Sequence, residues 1–423
     1  MNDATPAARV LQGLPEHRAD LEHFYRHLHQ HPELSHQESA TAARVDERLR
    51  DSGYDVTTGI GGTGVVGVLR NGDGPRVLLR ADMDALPVEE DTGLDYASTV
   101  TTTDAEGDTV PVMHACGHDV HVTALLGAAA LMAAARDQWK GTLVALFQPA
   151  EEVGDGARRM VEDSGFVDAV GAVDVALAQH VMPIPAGIVG TRPGAILSAA
   201  DSMRVTVHGR GAHGSMPRSA VDPVVLAAMI VVRLQTVVSR EIAPTEPAVL
   251  TIGSVRAGTK SNVIDDHAVL ELNVRTYNEQ TRTAVLDVVR RIVTAECQAS
   301  DTPKPPEFEL FDRFPVTTND AVTTEKVAAA FADHFGEQHV DAPLESASED
   351  FSDLPRALGV PYTYWIFGGV DPEKYQAATD AGRVAQDIPV NHSPSFAPVV
   401  QPTLDTGVQA LVVAALAYLG VDG

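Results

Sequence analysis

The feature that most constrains this chain is a change of hydrophobic period partway along it. Before residue 198 and after residue 311, short apolar runs at 77–81, 142–147, 173–178 and 362–367 alternate with helical stretches. Those stretches include Leu21, Phe24, Tyr25 and Leu28 at helix spacing, an alanine-rich segment at 120–135 beginning beside Asp119 as a cap, and a C-terminal one at 403–419. Continuous apolar strands need cover on both faces, so this part reads as an α/β sheet with helices packed over it. Between 198 and 311 the strands alternate strictly: Met203, Val205 and Val207 in one, Ala268, Leu270, Leu272 and Val274 in another. One face of that second sheet is therefore not core. Asp222 and Pro223 cap a helix over 224–238, another follows over 281–298, and the order strand, helix, strand, strand, helix, strand predicts a small independent α+β domain. Because the α/β pattern then resumes, the expected organisation is 1–197 and 312–423 as one catalytic domain, interrupted by an inserted domain at 198–311.

Charge narrows the partners. With 58 acidic against 31 basic residues the formal charge is −27, which repels nucleic acid and anionic membrane surfaces, and neither is expected as a partner. The apolar run at 124–135 is too short to span a bilayer, and residues 1–16 lack a basic stretch followed by an apolar one, so the expectation is a cytoplasmic protein. Two cysteines are too few for a disulfide framework. Cys297 lies in a helical pattern and reads as packed; Cys116 does not.

His114-Ala115-Cys116-Gly117-His118-Asp119, followed by His121, gathers a thiol, three imidazoles and carboxylate within eight residues. Cys116 and His118 suit a borderline divalent cation, and the glycine between them lets both side chains turn inward. Glu151 and Glu152 follow the apolar run 142–147, where adjacent buried carboxylates need positive compensation; one can ligate a cation and the other can hold a water for proton transfer. Asp82 and Asp84 follow 77–81 and His180 follows 173–178, and ligands in open α/β sheets bind beyond the carboxyl ends of strands. These side chains are thus expected in one crevice. Taken alone, His114 and His121 read equally well as ligands or as packed residues, whereas His180 and His392 read more readily as packed or turn histidines.

The ordered series His29-Gln30-His31-Pro32-Glu33-Leu34-Ser35, Arg80-Ala81-Asp82-Met83-Asp84-Ala85-Leu86-Pro87, Met113 to Asp119, Phe147 to Glu152, Gly209 to Pro217, Asn262-Val263-Ile264, Ser348-Glu349-Asp350-Phe351 and His392-Ser393-Pro394 resembles the M20 metallopeptidase family. Within it, the series is most similar to the amidohydrolase branch of aminoacylases, hippurate hydrolases and auxin-conjugate hydrolases. The resemblance implies a zinc-peptidase-like α/β catalytic domain with an inserted ferredoxin-like lid that also dimerises. It further implies two divalent metal ions, Mn²⁺ or Zn²⁺ foremost and Co²⁺ or Ni²⁺ as options. Cys116 would be their shared ligand, with His118, Glu152, His180 and His392 completing the set. Glu151 would be the general base, Asp84 a carboxylate orienting a ligand, His213 a stabiliser of the tetrahedral intermediate, and Asn262 and Arg275 substrate contacts in the lid. Asp82 stands where relatives in other branches carry a histidine ligand.

The expected reaction is hydrolysis of an N-acyl amino acid to a carboxylic acid and a free amino acid. A dipeptidase or carboxypeptidase of the same family is one alternative, and a metal-binding module without catalysis is another. A homodimer or homotetramer through the lid is the expected assembly.

Overall fold

A computed structural model describes residues 5–420. In chain order its principal strands are β1 (Asp55–Ile60), β2 (Gly64–Asn71), β3 (Arg76–Asp82), β4 (Gly141–Gln148), β5 (Val175–Pro185), β6 (Val189–Thr191), β7 (Ala199–His208), β8 (Ala248–Ala257), β9 (His267–Thr276), β10 (Glu307–Phe314), β11 (His339–Asp341) and β12 (Tyr362–Val370). The helices used below are α1 (Leu14–Gln30), α2 (His118–Ala134), α3 (Pro223–Leu234), α4 (Glu279–Ala299) and α5 (Val400–Leu419).

Two compact units share the chain. The larger takes residues up to Ile196, Thr318–Leu344 and the chain from Asp350 on; the smaller takes Leu197–Thr317 and Glu345–Glu349. The boundary expected at 311 falls inside β10, which pairs with β7 of the smaller unit from Ala200↔Phe314 to Thr206↔Glu307.

In the larger unit an eight-stranded sheet runs β1-β2-β4-β3-β5-β12-β6-β11. β3 is parallel to both β4 and β5, and β5 is parallel to β12, so these strands end at one edge. Their continuous apolar runs are buried, as two-sided cover requires: Val77, Leu78 and Leu79 of β3, Leu143 to Phe147 of β4 and Tyr364 to Phe367 of β12 are all within 1% of complete burial. α2 is apolar on every side, which suits only a core position. Its Leu125, Leu131 and Met132 pack in one cluster with Leu404, Val408 and Leu411 of α5 and with Leu21 and Phe24 of α1. α5 is long and apolar enough to cross a membrane by composition alone, a feature absent from the run at 124–135, yet 72% of its apolar window is buried within the protein. That is the setting of a core helix.

The smaller unit is a four-stranded antiparallel sheet in the order β8-β9-β7-β10. Its core is the alternating set read from the sequence: Met203, Val205, Val207, Ala268, Leu270, Leu272 and Val274 face Leu226 and Ile230 of α3 and Val289 and Val293 of α4. Asp222 caps α3 by accepting from Val224 N–H at 2.9 Å, and Asn278 caps α4 by accepting from Thr281 N–H at 2.7 Å. Arg282 of α4 clamps the buried Asp201 of β7 through two bonds of 2.7 Å each, tying helix to sheet.

Asp119 does not cap α2, which begins at His118 behind Gly117. It serves instead in a buried charge clamp: His29 Nδ1 lies 2.7 Å from Asp119 Oδ2, and His29 Nε2 lies 3.1 Å from Glu90 Oε1. Glu90 in turn accepts the Ser98 N–H at 2.6 Å. Both ring nitrogens face carboxylates, and only imidazolium donates from both. Burial opposes that charge, but the hydrogen bonds to Asp119 and Glu90 outweigh it and raise the His29 pKa to about 9. One histidine thus joins the end of α1, the start of α2 and the loop between β3 and α2.

This generates a pH dependence. A folded pKa of about 9 above an ordinary 6.5 stabilises fully below pH 6.5, and the stabilisation is lost as pH rises through 9. Denaturant unfolding at pH 6.5 and 9.5 should show the native chain losing on the order of 3 kcal/mol more than His29→Asn does. Equal losses in the two proteins would refute the clamp.

Candidate active site

Three adjacent strands place polar side chains level at their carboxyl edge. Asp82 pairs with Gln148, and Arg80 pairs with Ala178, so His180 lies level with Asp82 across the sheet. Beyond Gln148 the chain turns through Pro149 and Ala150 to present Glu151 and Glu152. Cys116 and His118 arrive from the start of α2. Gly117 between them adopts φ 82, and a Cβ there would lie 2.4 Å from Val181 Cγ1 on β5, so conformation and space both require glycine.

Cys116 Sγ, one nitrogen of His118 and one oxygen of Glu152 lie mutually within 4.8 Å. On its other side Cys116 Sγ is 3.4 Å from His180 Nε2, and His392 Nε2 is 3.3 Å from Glu152 Oε2. A second set within the same mutual distance, Asp82, His118, His121 and His180, shares His118 with the first. His118 donates from Nδ1 to the Asp84 carbonyl at 2.9 Å, which leaves Nε2 directed into the site. His180 likewise donates from Nδ1 to the Val181 carbonyl at 2.7 Å, keeping Nε2 toward the sulfur. Buried His118 Nε2 and Glu152 Oε1 have no hydrogen-bond partner and lie 3.8 Å apart. Buried polar atoms are otherwise paired as a rule, and two facing orphan lone pairs are what a cation would satisfy.

Charge leads to the same conclusion. Asp82, Asp84, Glu151 and Glu152 crowd one buried site. Burial, then the charge of Glu152, pushes the Cys116 thiol well above its ordinary range. Burial, eased by His118 and reinforced by Asp84, pushes the Glu152 carboxyl up to about 8. Burial and the neighbouring His121 hold His180 well below its ordinary value and hence neutral. Burial opposes charge on His118 too, yet Asp82, Asp84 and Cys116 together hold it well above the usual range, so its Nε2 lone pair becomes available to a cation as the cation displaces the proton. A divalent cation would reverse this balance and favour the thiolate and carboxylate as ligands. The donor set of thiol, imidazole and carboxylate fits such an ion.

His121, open between ligand and packing in the sequence, is brought to the site but has no free nitrogen. Its Nε2 accepts the Val181 N–H at 2.8 Å, and its Nδ1 therefore donates to Asp82 Oδ1 at 2.5 Å. Asp82 Oδ2 accepts from Arg80 Nη1 at 2.6 Å, so Asp82 also supports its neighbours through filled hydrogen bonds. Buried His114 has both ring nitrogens unpaired and lies outside the ligand groups.

Asp84 does more than orient His118. Its Oδ2 accepts from Ser35 Oγ at 2.6 Å and from Glu152 N–H at 3.0 Å, which fixes the glutamate turn. Sequence reasoning assigned no role to several supports. Asn391 donates to the Cys116 carbonyl at 3.3 Å and the Val181 carbonyl at 3.2 Å, and His392 N–H donates to the Ala115 carbonyl at 2.8 Å. Arg80 Nε donates to Gln148 at 2.9 Å, while Gln148 donates to Asp350 at 2.6 Å. Asp350 stands in the Ser348-Glu349-Asp350-Phe351 motif, and Asn391 directly precedes His392-Ser393-Pro394, which is the signal the sequence offers.

The smaller unit carries the remaining candidates. His213 and Asn262 are brought together by a two-residue ribbon in which His213 pairs with Val263 and Gly214 N–H donates to the Asn262 carbonyl at 2.8 Å. Ser215 N–H donates to His213 Nδ1 at 3.2 Å, so the exposed ring carries its proton on Nε2 and can donate. Arg275 lies apart on the non-core face of β9. Its Nε donates to Asn273 Oδ1 at 2.9 Å and its Nη1 to Ser348 Oγ at 2.7 Å. Asn273 and Ser348 are both neutral partners, and burial lowers the Arg275 pKa, a setting that favours an anionic ligand.

Comparison with known proteins agrees with this geometry. The profile of peptidase family M20/M25/M40 matches residues 78–388. The chain is 43% identical to an N-acetyl-L-cysteine deacetylase of Bacillus subtilis over 62% of its own length and 60% of that protein's. It is 36% identical to thermostable carboxypeptidase 1 of Saccharolobus solfataricus over 82% of this chain and 86% of the relative. Its fold matches the Bacillus subtilis YXEP protein, a dinuclear metal-binding peptidase of family M20, with a TM-score of 0.75 and 29% identity over 95% of this chain and 98% of that one. With the motif order and the fold in agreement, the chain belongs to peptidase family M20, in its metal-dependent amidohydrolase branch.

Proposed function

We propose that the protein hydrolyses the amide bond of an N-acyl amino acid, using Glu151 as general base beside a two-cation centre held by Cys116, His118, Glu152, His180 and His392. The observation that carries this reading is the facing pair of orphan ligand atoms, His118 Nε2 and Glu152 Oε1, with Glu151 Oε2 3.9 Å from the same imidazole nitrogen. Two divalent cations would supply Lewis acidity for the amide carbonyl and for an attacking water. Glu151, almost wholly buried, takes the proton of that water and returns it to the leaving nitrogen. Asp84 keeps the His118 lone pair aimed and the Glu152 backbone fixed. His213 donates from Nε2 to the developing oxyanion, Asn262 contacts the substrate, and Arg275 receives the carboxylate of the amino-acid half with its planar fork.

Mn²⁺ or Zn²⁺ suits the mixed donor set best, with Co²⁺ or Ni²⁺ also compatible. The deacetylase relative supports an acyl substrate, and the carboxypeptidase relative favours peptide cleavage as the second reading. A binding module without catalysis has no use for a second buried glutamate beside a full ligand set. A cytoplasmic site of action accords with an oxidisable thiol as ligand.

The lid supports self-association. α3 buries Leu226, Ala227, Ile230 and Leu234 on one side while Val225, Met229 and Val232 on the other are 58%, 54% and 68% exposed. Beside it the edge strand β8 exposes Val249 and Val255. An apolar helix face of this kind next to an open sheet edge suits a second copy of the lid.

Glu151→Gln should keep its metal content and lower kcat at least ~10²-fold, whereas Cys116→Ala should lose bound metal. Amine release assayed beside elemental analysis separates the two, and a fully active Glu151→Gln would exclude its role as base. Arg275→Met should raise KM by roughly 10-fold or more for N-acyl amino acids while leaving their carboxamides little changed; an equal effect on both would exclude carboxylate recognition. Sedimentation should show a dimer or tetramer that Val232→Glu dissociates, and a native monomer would refute the lid interface.

A further inference from the structure

Glu38 is wholly buried just before the helix Ser39–Asp51. Its Oε1 accepts two backbone N–H groups, from Ala150 at 2.8 Å and from His36 at 2.9 Å. Its Oε2 accepts the Thr63 hydroxyl at 2.6 Å. Both amides belong to residues in the left-handed region, Ala150 at φ 51 and His36 at φ 66. Alanine has no intrinsic preference for that region, and such a conformation persists only where the surroundings over-determine it. Here the surroundings are a buried carboxylate on one side and the Gly156 N–H, which donates to the Ala150 carbonyl at 3.1 Å, on the other. Ala150 immediately precedes Glu151. The following residue, Glu152, is held through its N–H by Asp84 at 3.0 Å. Glu151 is thus bracketed by two amides, of Ala150 and Glu152, that buried carboxylates anchor.

We propose that Glu38 is a positioning residue for the base: it fixes the left-handed turn at Ala150 and thereby the direction in which Glu151 leaves the backbone. The inference rests on the reading of Glu151 as general base. An error of about 1 Å in placing a catalytic group can cost ~10²-fold in rate, so a carboxylate that touches neither substrate nor cation can still control turnover. Glutamine should serve in its place. Its oxygen can take the two amides and its NH₂ can face Thr63, whose hydroxyl turns to accept. Aspartate is one methylene too short to reach the same partners.

The test compares Glu38→Ala, Glu38→Asp, Glu38→Gln and Glu151→Gln with the native protein, reconstituted with Mn²⁺, on the best substrate from a panel of N-acetyl and N-benzoyl amino acids. Metal content, near-ultraviolet circular dichroism, kcat and KM are measured on each. The expected result is that Glu38→Ala and Glu38→Asp stay folded and metal-loaded, hold KM within about threefold and lose roughly 10- to 100-fold in kcat, while Glu38→Gln recovers most of that loss. If Glu38→Ala fails to fold, the aspartate variant carries the same comparison. An unchanged kcat per metal-loaded molecule, loss of metal in place of kcat, or a glutamine variant as impaired as alanine would each overturn the proposal. Glu151→Gln reports on the underlying reading separately. If it is inactive while Glu38→Asp is unimpaired, only the inference about Glu38 fails; if it is fully active, the base assignment fails.

Discussion

Unbalanced negative charge in a dry place is the constraint on which the rest of this structure depends. Four carboxylates and a thiol converge where parallel strands end and α2 begins, almost out of contact with water. Arg80 offsets Asp82 through a direct bond, but Glu152 and Cys116 are driven toward their neutral forms by burial. A protein interior does not tolerate such a cluster without compensation. Cations supply it, and the two facing lone pairs of His118 and Glu152 mark where compensation is missing from the protein itself.

Much of the surrounding architecture exists to hold that cluster rigid. Four of the five proposed ligands have their other end tied: His118 by Asp84, His180 by the Val181 carbonyl, Cys116 through its carbonyl by Asn391, and Glu152 through its amide by Asp84. The helix that brings His118 is anchored through the adjoining Asp119 by a charged histidine from α1. Apart from the local tie at His180, these bonds run between segments far apart in sequence, so the site cannot form until the sheet and both helices have packed.

The layers of the fold were legible because period reports burial directly. Strictly alternating β7 and β9 and the unbroken apolar runs of β3 and β4 could hardly have been read otherwise. The ligand candidates stood out for a different reason, since cysteine, histidine and paired glutamates at the ends of apolar runs are chemically conspicuous. What stayed hidden depends on tertiary register or on backbone conformation that the residue type does not announce. His121 looks like a ligand until the Val181 N–H is found on its second nitrogen. Asp119 looks like a cap until His29 is found against it. Nothing in an alanine or a histidine signals that Ala150, His36 and His392 adopt positive φ, and so the bonds from Glu38 to the Ala150 and His36 amides could not be anticipated. The smaller unit extends a few residues past the expected 311, where β10 is mostly half-exposed and its apolar alternation fades.

Anomalous diffraction from crystals grown with Mn²⁺ or Zn²⁺ tests the account most directly. Two peaks are expected, both within bonding distance of the Cys116 sulfur, with His118, Glu152, His180 and His392 completing their ligands and His121 bound to neither. A cation held by His121 and Asp82 with Cys116 left free, or no cation in this cluster at all, would contradict it.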